Sequence, residues 1–200
     1  MPRILSEEDI AEFRARLIAA AERLFAEHGL EAVTMRQLAS ELGVSPMTPY
    51  RYFKDKDDIL AAVRADGFDR FSQAQEDAFA MPGTAPEKAS EVYRAYLRFA
   101  FEHPHAYKLM FDLSQPTEHD YPELVRAGER ARATMRRHVD ALLDAGLIEG
   151  DPAMVAHVFW TALHGAVVLE MAGKLDPGLD AATISREAFR LMIEGLRRKA

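Results

Sequence analysis

Apolar residues recur at helical spacing along most of the chain, and no stretch alternates apolar and polar residues as a β-strand would. Ser6 and Asp9 form a capping-box pattern, and Gly29 ends the apolar repeat that follows. Comparable caps and stops predict eight further helices, at 35–42, 46–53, 56–80, 86–103, 104–113, 122–145, 152–172 and 181–199. The expected fold class is therefore all-α, with about nine helices.

The two short predicted helices 35–42 and 46–53 are joined by only Gly43-Val44-Ser45. A helix-turn-helix has this form because its second helix must cross the first steeply and reach the major groove of DNA. Ala39 permits close helix contact, and Gly43 permits the left-handed backbone of the turn. We expect Leu38, Leu42, Val44 and Phe53 to be buried. The side chains expected to be exposed, with hydroxyls, amines and methyls that suit DNA, are Arg36, Ser45, Met47, Thr48, Tyr50, Tyr52 and Lys56.

The net charge of −7 opposes DNA binding unless positive charge is concentrated locally. Within 35–56 the basic residues are Arg36, Arg51, Lys54 and Lys56, and the acidic residues are Glu41 and Asp55. This segment is therefore locally basic and permits contact with phosphates.

The chain contains no cysteine, which excludes disulfides, thiolate zinc sites and cysteine nucleophiles. No histidine pair has the spacing of a helical zinc site, so neither a metal nor a cofactor is expected. The most apolar window, 154–172, is interrupted by His157, His164 and Glu170, and we expect it not to cross a membrane. The amino terminus lacks the pattern of a secretory signal, so a cytoplasmic protein is expected.

The stretch TMRQLASELGVSPMTPYRYFKDK at 34–56, preceded by EHGLEAV, closely resembles the DNA-binding domain of the tetracycline-repressor-like (TetR) family. The resemblance is strong over about 10–60. It implies that the first three helices bind DNA, that a divergent carboxyl-terminal domain binds an inducer, and that the last two helices form the dimer. Matched by position, it implies contacts of Thr34 and Arg36 with phosphate and base edge, of Pro46, Met47 and Thr48 with bases, and of Tyr50, Tyr52 and Lys56 with phosphates.

Pro49 departs from the family pattern, which has a branched apolar residue in the recognition helix. Proline lacks an N–H and disfavours helical geometry at the preceding Thr48. With Ser45 as the cap, however, Pro49 still lies in the first turn, where at most one helical hydrogen bond is lost. We expect the helix to survive, with an altered pitch.

A weaker resemblance concerns FWTALHGAVVLEMAGKL at 159–175 together with EHPHAYKLMFDL at 102–113. The pattern Trp160-x-x-x-His164-Gly165 resembles a TetR subgroup named for its Trp-His-Gly residues. This interpretation predicts a largely apolar cavity lined by Tyr96, Phe99, Tyr107, Met110, Phe111, Trp160 and His164. The alternative is that Trp160 and His164 are ordinary core residues.

Together these features predict a helix-turn-helix domain at 1–54 and a ligand-binding and dimerisation domain at 55–200. The predicted partners are a palindromic double-stranded DNA operator, a small-molecule effector that releases a repressor from DNA, and a second copy of the chain joined through the last two helices. No membrane partner and no enzymatic activity are expected. Two other functions stay open: a hydrolase or lyase using His164 with Glu170 or Asp112, and an adaptor whose amino-terminal hairpin binds protein.

Overall fold

A computed structural model describes residues 6–112 and 118–196, which contain eight α-helices, two 3-10 helices and no strand. The α-helices are α1 (Glu7–His28), α2 (Met35–Glu41), α3 (Lys56–Ala80), α4 (Ala85–Glu102), α5 (Pro104–Met110), α6 (Pro122–Asp144), α7 (Pro152–Met171) and α8 (Ala181–Leu196). The 3-10 helices are Pro49–Arg51 and Glu118–Asp120. The all-α fold class is confirmed. A polar connection is predicted at 114–121, and its first four residues lie outside the described residues, as do the predicted helix ends at Leu113 and Lys199.

Side-chain caps begin the helices where the sequence predicts them. The Asp9 backbone N–H donates to Ser6 Oγ at 3.0 Å, and the Gln37 N–H donates to Thr34 Oγ1 at 3.3 Å. In α7, the Met154 N–H donates to the Asp151 carboxylate at 2.8 Å. Each cap satisfies a backbone donor that has no carbonyl partner within the helix, which is why the first residues of these helices were recognisable.

The predicted helix 46–53 is not α-helical, and this accounts for eight α-helices instead of nine. It consists of turns followed by the 3-10 helix Pro49–Arg51. Thr48 N–H donates to the Ser45 carbonyl at 2.8 Å, and Arg51 N–H donates to the Thr48 carbonyl at 3.1 Å, which are three-residue bonds. Pro49 has no N–H with which to make the four-residue bond to Ser45, so the tighter pattern replaces the α-helical one.

The described residues divide into two compact units, which we call unit 1 and unit 2. Unit 1 takes its described residues from Met1–Arg70 and His103–Glu129, and unit 2 from Phe71–Glu102 and Arg130–Ala200. The helices α3 and α6 each contribute residues to both units. The predicted functional boundary after residue 54 is a different division, and it stays a prediction.

The core of unit 1 holds the helix-turn-helix segment against α1. Leu17, Leu38 and Phe53 are fully buried in one apolar cluster, whereas Leu42 is only partly buried at its edge. The Arg14 guanidinium lies 4.3 Å from the centre of the Phe53 ring and donates to the Tyr52 carbonyl at 3.0 Å. These contacts hold the end of the segment 46–53 in place by both packing and hydrogen bonding.

The core of unit 2 joins α6, α7 and α8. The Phe159 and Phe189 rings meet edge to face with their centres 5.0 Å apart, beside the fully buried Val139. Arg130 on α6 donates to both carboxylate oxygens of Glu76 on α3, at 3.0 and 2.6 Å. A bidentate pair of this kind restricts the orientation of one helix against the other.

Candidate functional site

The turn that ends in the 3-10 helix presents a surface of mixed polar and apolar side chains. Met47 is 67% exposed and Tyr50 is 48% exposed. Ser45 and Pro46 are also exposed, and Thr48 is half-buried. Gly43 has a φ of +66°, so the tight turn before this surface uses the left-handed backbone that the sequence predicts. We call Ser45, Pro46, Met47, Thr48 and Tyr50 the recognition turn.

The start of α2 supplies two more of the predicted contacts. Thr34 and Arg36 are exposed. Thr34 is held in place by a reciprocal cap, because its N–H donates to Gln37 Oε1 at 2.8 Å while its hydroxyl accepts from the Gln37 N–H. This geometry fixes the position of Thr34 at the surface before any ligand is bound.

Tyr52 and Lys56 differ from their predicted exposure, because both are half-buried. The Tyr52 ring packs on Phe13 of α1 with the ring centres 4.4 Å apart. Lys56 Nζ donates to the Leu30 carbonyl at 2.8 Å. Both side chains therefore stabilise unit 1 itself, a role that spacing along the chain could not reveal.

Two cations beside the recognition turn were absent from the predicted contacts. Arg51 is exposed, and the Lys54 side chain is 88% exposed, with Nζ 4.0 Å from the Asp55 carboxylate. Exposed cations of this kind are suited to binding phosphates. The local excess of basic residues at 35–56 was the sequence signal that could have identified them.

Unit 2 contains a cavity of about 710 Å³ whose wall is mainly apolar and aromatic. Its lining includes Gln75, Tyr93, Arg94, Tyr96, His138, Phe159, Trp160, Arg186 and Phe189. The Tyr93 hydroxyl donates to the Ala182 carbonyl at 2.9 Å, which joins α4 to α8 beside the cavity. A volume of this size is typical of sites that enclose a small organic ligand.

Only two of the seven residues predicted to line a cavity, Tyr96 and Trp160, do so here. Phe99 packs against Phe71, with the ring centres 5.3 Å apart. His164 belongs to unit 2 but does not line the cavity. Tyr107, Met110 and Phe111 belong to unit 1, where the Tyr107 and Phe111 ring centres lie 5.1 Å apart and Met110 is buried.

Several cavity residues were missed by the sequence reasoning, among them Gln75, Tyr93, His138, Phe159 and Phe189. A signal was available on α6, where Met135, His138 and Leu142 recur at helical spacing and all reach the cavity. Periodicity identifies such a helix face without showing what the face contacts.

The aromatic stripe on α7 forms as the spacing predicts. The Trp160 ring centre lies 6.1 Å from that of His157 and 6.0 Å from that of His164. Burial lowers the pKa of His164, which favours the uncharged imidazole. Glu170 accepts a hydrogen bond from the Ala181 N–H at 2.5 Å, so this carboxylate is engaged at the start of α8. That contact weakens the case for a hydrolase or lyase that uses Glu170 with His164.

The helices α7 and α8 together leave an apolar surface exposed. Met154 is 64% exposed, Val158 is 43% exposed and Leu191 is 55% exposed. With His157, Thr161, Ala162, Ala188 and Met192, these residues line a shallow groove. We call these eight residues the α7–α8 face. Contiguous exposed apolar surface of this kind is typical of a protein interface.

By length and composition alone, α7 is apolar enough to cross a membrane despite the interruptions at His157, His164 and Glu170. The expectation that it does not cross one stays a prediction. The core helix of a soluble protein passes the same test, and one helix of this kind is weak evidence for a membrane span. Across residues 6–112 and 118–196, no group of three or more His, Cys, Asp or Glu side chains is arranged to hold a metal ion.

Two segments of the chain match known family models. Residues 17–63 match the family model described as bacterial regulatory proteins of the tetR family, and residues 90–196 match that of the tetracyclin repressor-like carboxyl-terminal domain. The chain belongs to the TetR family. TetR proteins of this kind are transcriptional regulators with a DNA-binding helix-turn-helix.

Two relatives of this TetR protein can be aligned with most of its length. An uncharacterized HTH-type transcriptional regulator of Mycobacterium tuberculosis is 29% identical over 188 residues, which cover 93% of this chain and 82% of the relative. A Rhodococcus sp. RHA1 protein of unknown function has a TM-score of 0.81 at 28% identity, covering 99% of this chain and 100% of that one.

A second solved structure shares the fold at lower identity. It is the transcriptional regulator FadR of Bacillus subtilis in complex with stearoyl-CoA, with a TM-score of 0.74 at 19% identity. The match covers 92% of this chain and 99% of that one. At this identity the likeness concerns the fold alone.

Proposed function

We propose that this TetR-family regulator is a repressor that binds a palindromic DNA operator as a homodimer and is released by a small, largely apolar ligand held in the cavity of unit 2. The observation that carries the proposal is the exposed recognition turn, framed by Thr34 and Arg36. The hydroxyls of the recognition turn and the guanidinium of Arg36 suit phosphates and base edges, and the methyl groups of the turn suit thymine. The phosphate contacts are assigned to Thr34, Tyr50, Arg51 and Lys54, with Tyr52 and Lys56 as half-buried supports.

Base reading is assigned to Pro46, Met47 and Thr48, with Arg36 at a guanine edge. The 3-10 geometry at Pro49–Arg51 changes the pitch of this segment relative to an α-helix, so the pattern of bases contacted need not follow that of relatives with an α-helical reader. Selection of bound fragments from random DNA tests the proposal directly. Enrichment of a palindrome supports a dimeric reader, whereas failure to enrich any sequence contradicts operator binding.

Removing an exposed cation beside the recognition turn should change the salt dependence of DNA binding. Lys54→Ala is expected to reduce the slope of log affinity against log salt concentration by about one, because one fewer phosphate is neutralised. The measurement is fluorescence anisotropy of a labelled duplex over a series of salt concentrations. Lys174→Ala, which removes an exposed cation just after α7, is the matched control. Equal slopes for Lys54→Ala and the unaltered protein would remove Lys54 from the phosphate contacts.

The dimer is assigned to the α7–α8 face. This surface offers apolar side chains for burial, and the small Ala162 and Ala188 permit close helix approach across a two-fold axis. In α7 only 33% of the most apolar window is buried within one chain, so a partner has apolar surface left to cover. A second copy presenting the same face is the simplest occupant, because a two-fold interface is self-complementary.

A charge placed on this face should separate the subunits. Leu191→Asp is expected to convert the dimer to a monomer at micromolar concentration, because burying an unpaired carboxylate in an apolar interface is strongly unfavourable. Sedimentation velocity measures the change. Leu179→Asp is the matched control, because Leu179 is 47% exposed and lies outside this face. The interface assignment fails if Leu191→Asp sediments as the unaltered dimer does.

The ligand is assigned to the unit 2 cavity because of its volume and its apolar, aromatic wall. FadR, which shares the fold, binds a ligand with a long apolar chain, stearoyl-CoA. Ligand binding is coupled to DNA binding through α3 and α6, because each of these helices contributes to both units. A ligand that favours one orientation of these helices shifts the population away from the DNA-binding form.

A further inference from the structure

A histidine that the regulatory proposal does not use lies in the wall of the unit 2 cavity. His138 is on α6, and its Nδ1 atom is enclosed by protein atoms. The Thr134 carbonyl, one helical turn earlier on α6, acts on the ring as a hydrogen-bond acceptor, at a geometry looser than that of an ordinary hydrogen bond. His157 makes the corresponding contact more tightly, because its Nδ1 lies 2.7 Å from the Ala153 carbonyl one helical turn earlier. Because Nδ1 is enclosed, Nε2 is the ring nitrogen that a ligand in the cavity can reach.

The surroundings of His138 keep its imidazole uncharged. Burial lowers the pKa of His138 to about 4, and the nearby Thr134 carbonyl and Asp140 charge oppose this effect only in part. A neutral imidazole carries one N–H donor and one acceptor nitrogen. Leaving Nε2 without a partner in an apolar cavity is costly, and a ligand atom that formed a hydrogen bond with it would recover part of that cost.

Among the other polar side chains of the wall, Gln75 is buried and uncharged, whereas the charged ones are exposed. The Nε2 atom of Gln75 lies 3.5 Å from the Phe71 carbonyl. The exposed charged lining residues are Arg94 and Arg186. The buried part of the wall therefore offers neutral hydrogen-bonding groups within an apolar surface. A charged ligand group at that depth would lose its hydration without meeting an opposite charge.

We infer that the cavity binds an apolar molecule bearing an uncharged hydroxyl or carbonyl group, and that this group hydrogen-bonds to the imidazole of His138. The inference rests on the proposed function only in taking the cavity as the effector site. It makes His138 a specificity-determining residue, because an ionised carboxylate in the same place would face a neutral ring instead of a cation.

The cavity contains its own spectroscopic reporter, because Trp160 is the one tryptophan in the sequence and lines the wall. The probes are 1-decanol, 2-decanone and decanoate, which share a chain length and differ in the oxygen group. Trp160 fluorescence titration at pH 7, checked by calorimetry, measures each affinity. In the unaltered protein 1-decanol and 2-decanone should bind more tightly than decanoate. His138→Leu should weaken 1-decanol and 2-decanone by about tenfold, the loss expected for one buried hydrogen bond.

His105→Leu is the matched control, because His105 is exposed on α5 in unit 1. It should leave all three affinities unchanged. Equal binding of 1-decanol to His138→Leu and to the unaltered protein overturns the inference, and so does tighter binding of decanoate than of 1-decanol, or no binding of any probe. Should His138→Leu fail to fold, ¹⁵N-histidine NMR of the unaltered protein decides the matter. The His138 ring signals must shift on addition of 1-decanol, and unchanged signals overturn the inference.

The same probes separate this inference from the regulatory proposal. If 1-decanol binds in a His138-dependent manner but leaves DNA affinity unchanged, the site assignment holds and the proposed release from DNA fails. If 1-decanol changes DNA affinity equally in the unaltered protein and His138→Leu, the regulatory proposal holds and the role of His138 fails.

Discussion

Met47→Glu is expected to weaken DNA binding by about 100-fold at low salt while the protein stays folded. Met47 is 67% exposed at the centre of the recognition turn, so a carboxylate there contacts little of the protein. Facing the phosphate backbone, the same carboxylate brings like charges together, which costs several kcal/mol, and about 1.4 kcal/mol corresponds to a tenfold change in affinity. Fluorescence anisotropy with a labelled duplex measures the loss.

Met81→Glu is the matched control, because Met81 is 51% exposed just after α3 and outside the recognition turn. It introduces the same charge and should change DNA affinity by less than about threefold, through net charge alone. Similar losses for Met47→Glu and Met81→Glu would show that the recognition turn is not the surface that faces DNA.

Phe53→Ala is expected to lower the free energy of unfolding of unit 1 by about 3–5 kcal/mol, the usual cost of removing a buried phenyl ring. Phe53 is 2% exposed, and its ring supports the Arg14 guanidinium that also binds the Tyr52 carbonyl. Phe53 follows the recognition turn by three residues and anchors it to the core of unit 1, so DNA binding should be lost together with the packing. Urea denaturation followed by circular dichroism measures the change in stability.

The control for this change is Phe101→Ala, because Phe101 on α4 is 41% exposed and leaves little cavity when truncated. Its expected effect is below about 1 kcal/mol. An unfolding midpoint for Phe53→Ala equal to that of Phe101→Ala would contradict the packing described for unit 1.

The helix starts were predictable because their causes are local. Ser6, Thr34 and Asp151 each bind a backbone N–H three residues later, so the cap and its partner lie in one short stretch of sequence. The same holds for Gly43, whose left-handed backbone is required by the turn it occupies. Neither inference needs knowledge of distant residues.

The segment 46–53 was predicted in part. The loss of one hydrogen bond at Pro49 follows from proline chemistry, and the altered pitch was expected. Whether the other backbone hydrogen bonds of the segment 46–53 follow the α-helical pattern also depends on how its side chains pack against unit 1. Pro49 is buried, and the segment 46–53 ends at Phe53 within the core of unit 1. This packing favours the compact 3-10 turn over a longer α-helix.

By itself, the sequence determined the all-α fold, the order of the caps and stops, and the helix-turn-helix, because each depends on residues close together in the chain. Only the tertiary structure decided that Lys56 binds the Leu30 carbonyl and that Tyr107 and Met110 are buried in unit 1 while His138 lines the unit 2 cavity. Helical periodicity shows which side of a helix is apolar. What lies against that side depends on contacts between residues far apart in the chain, and no local pattern encodes them.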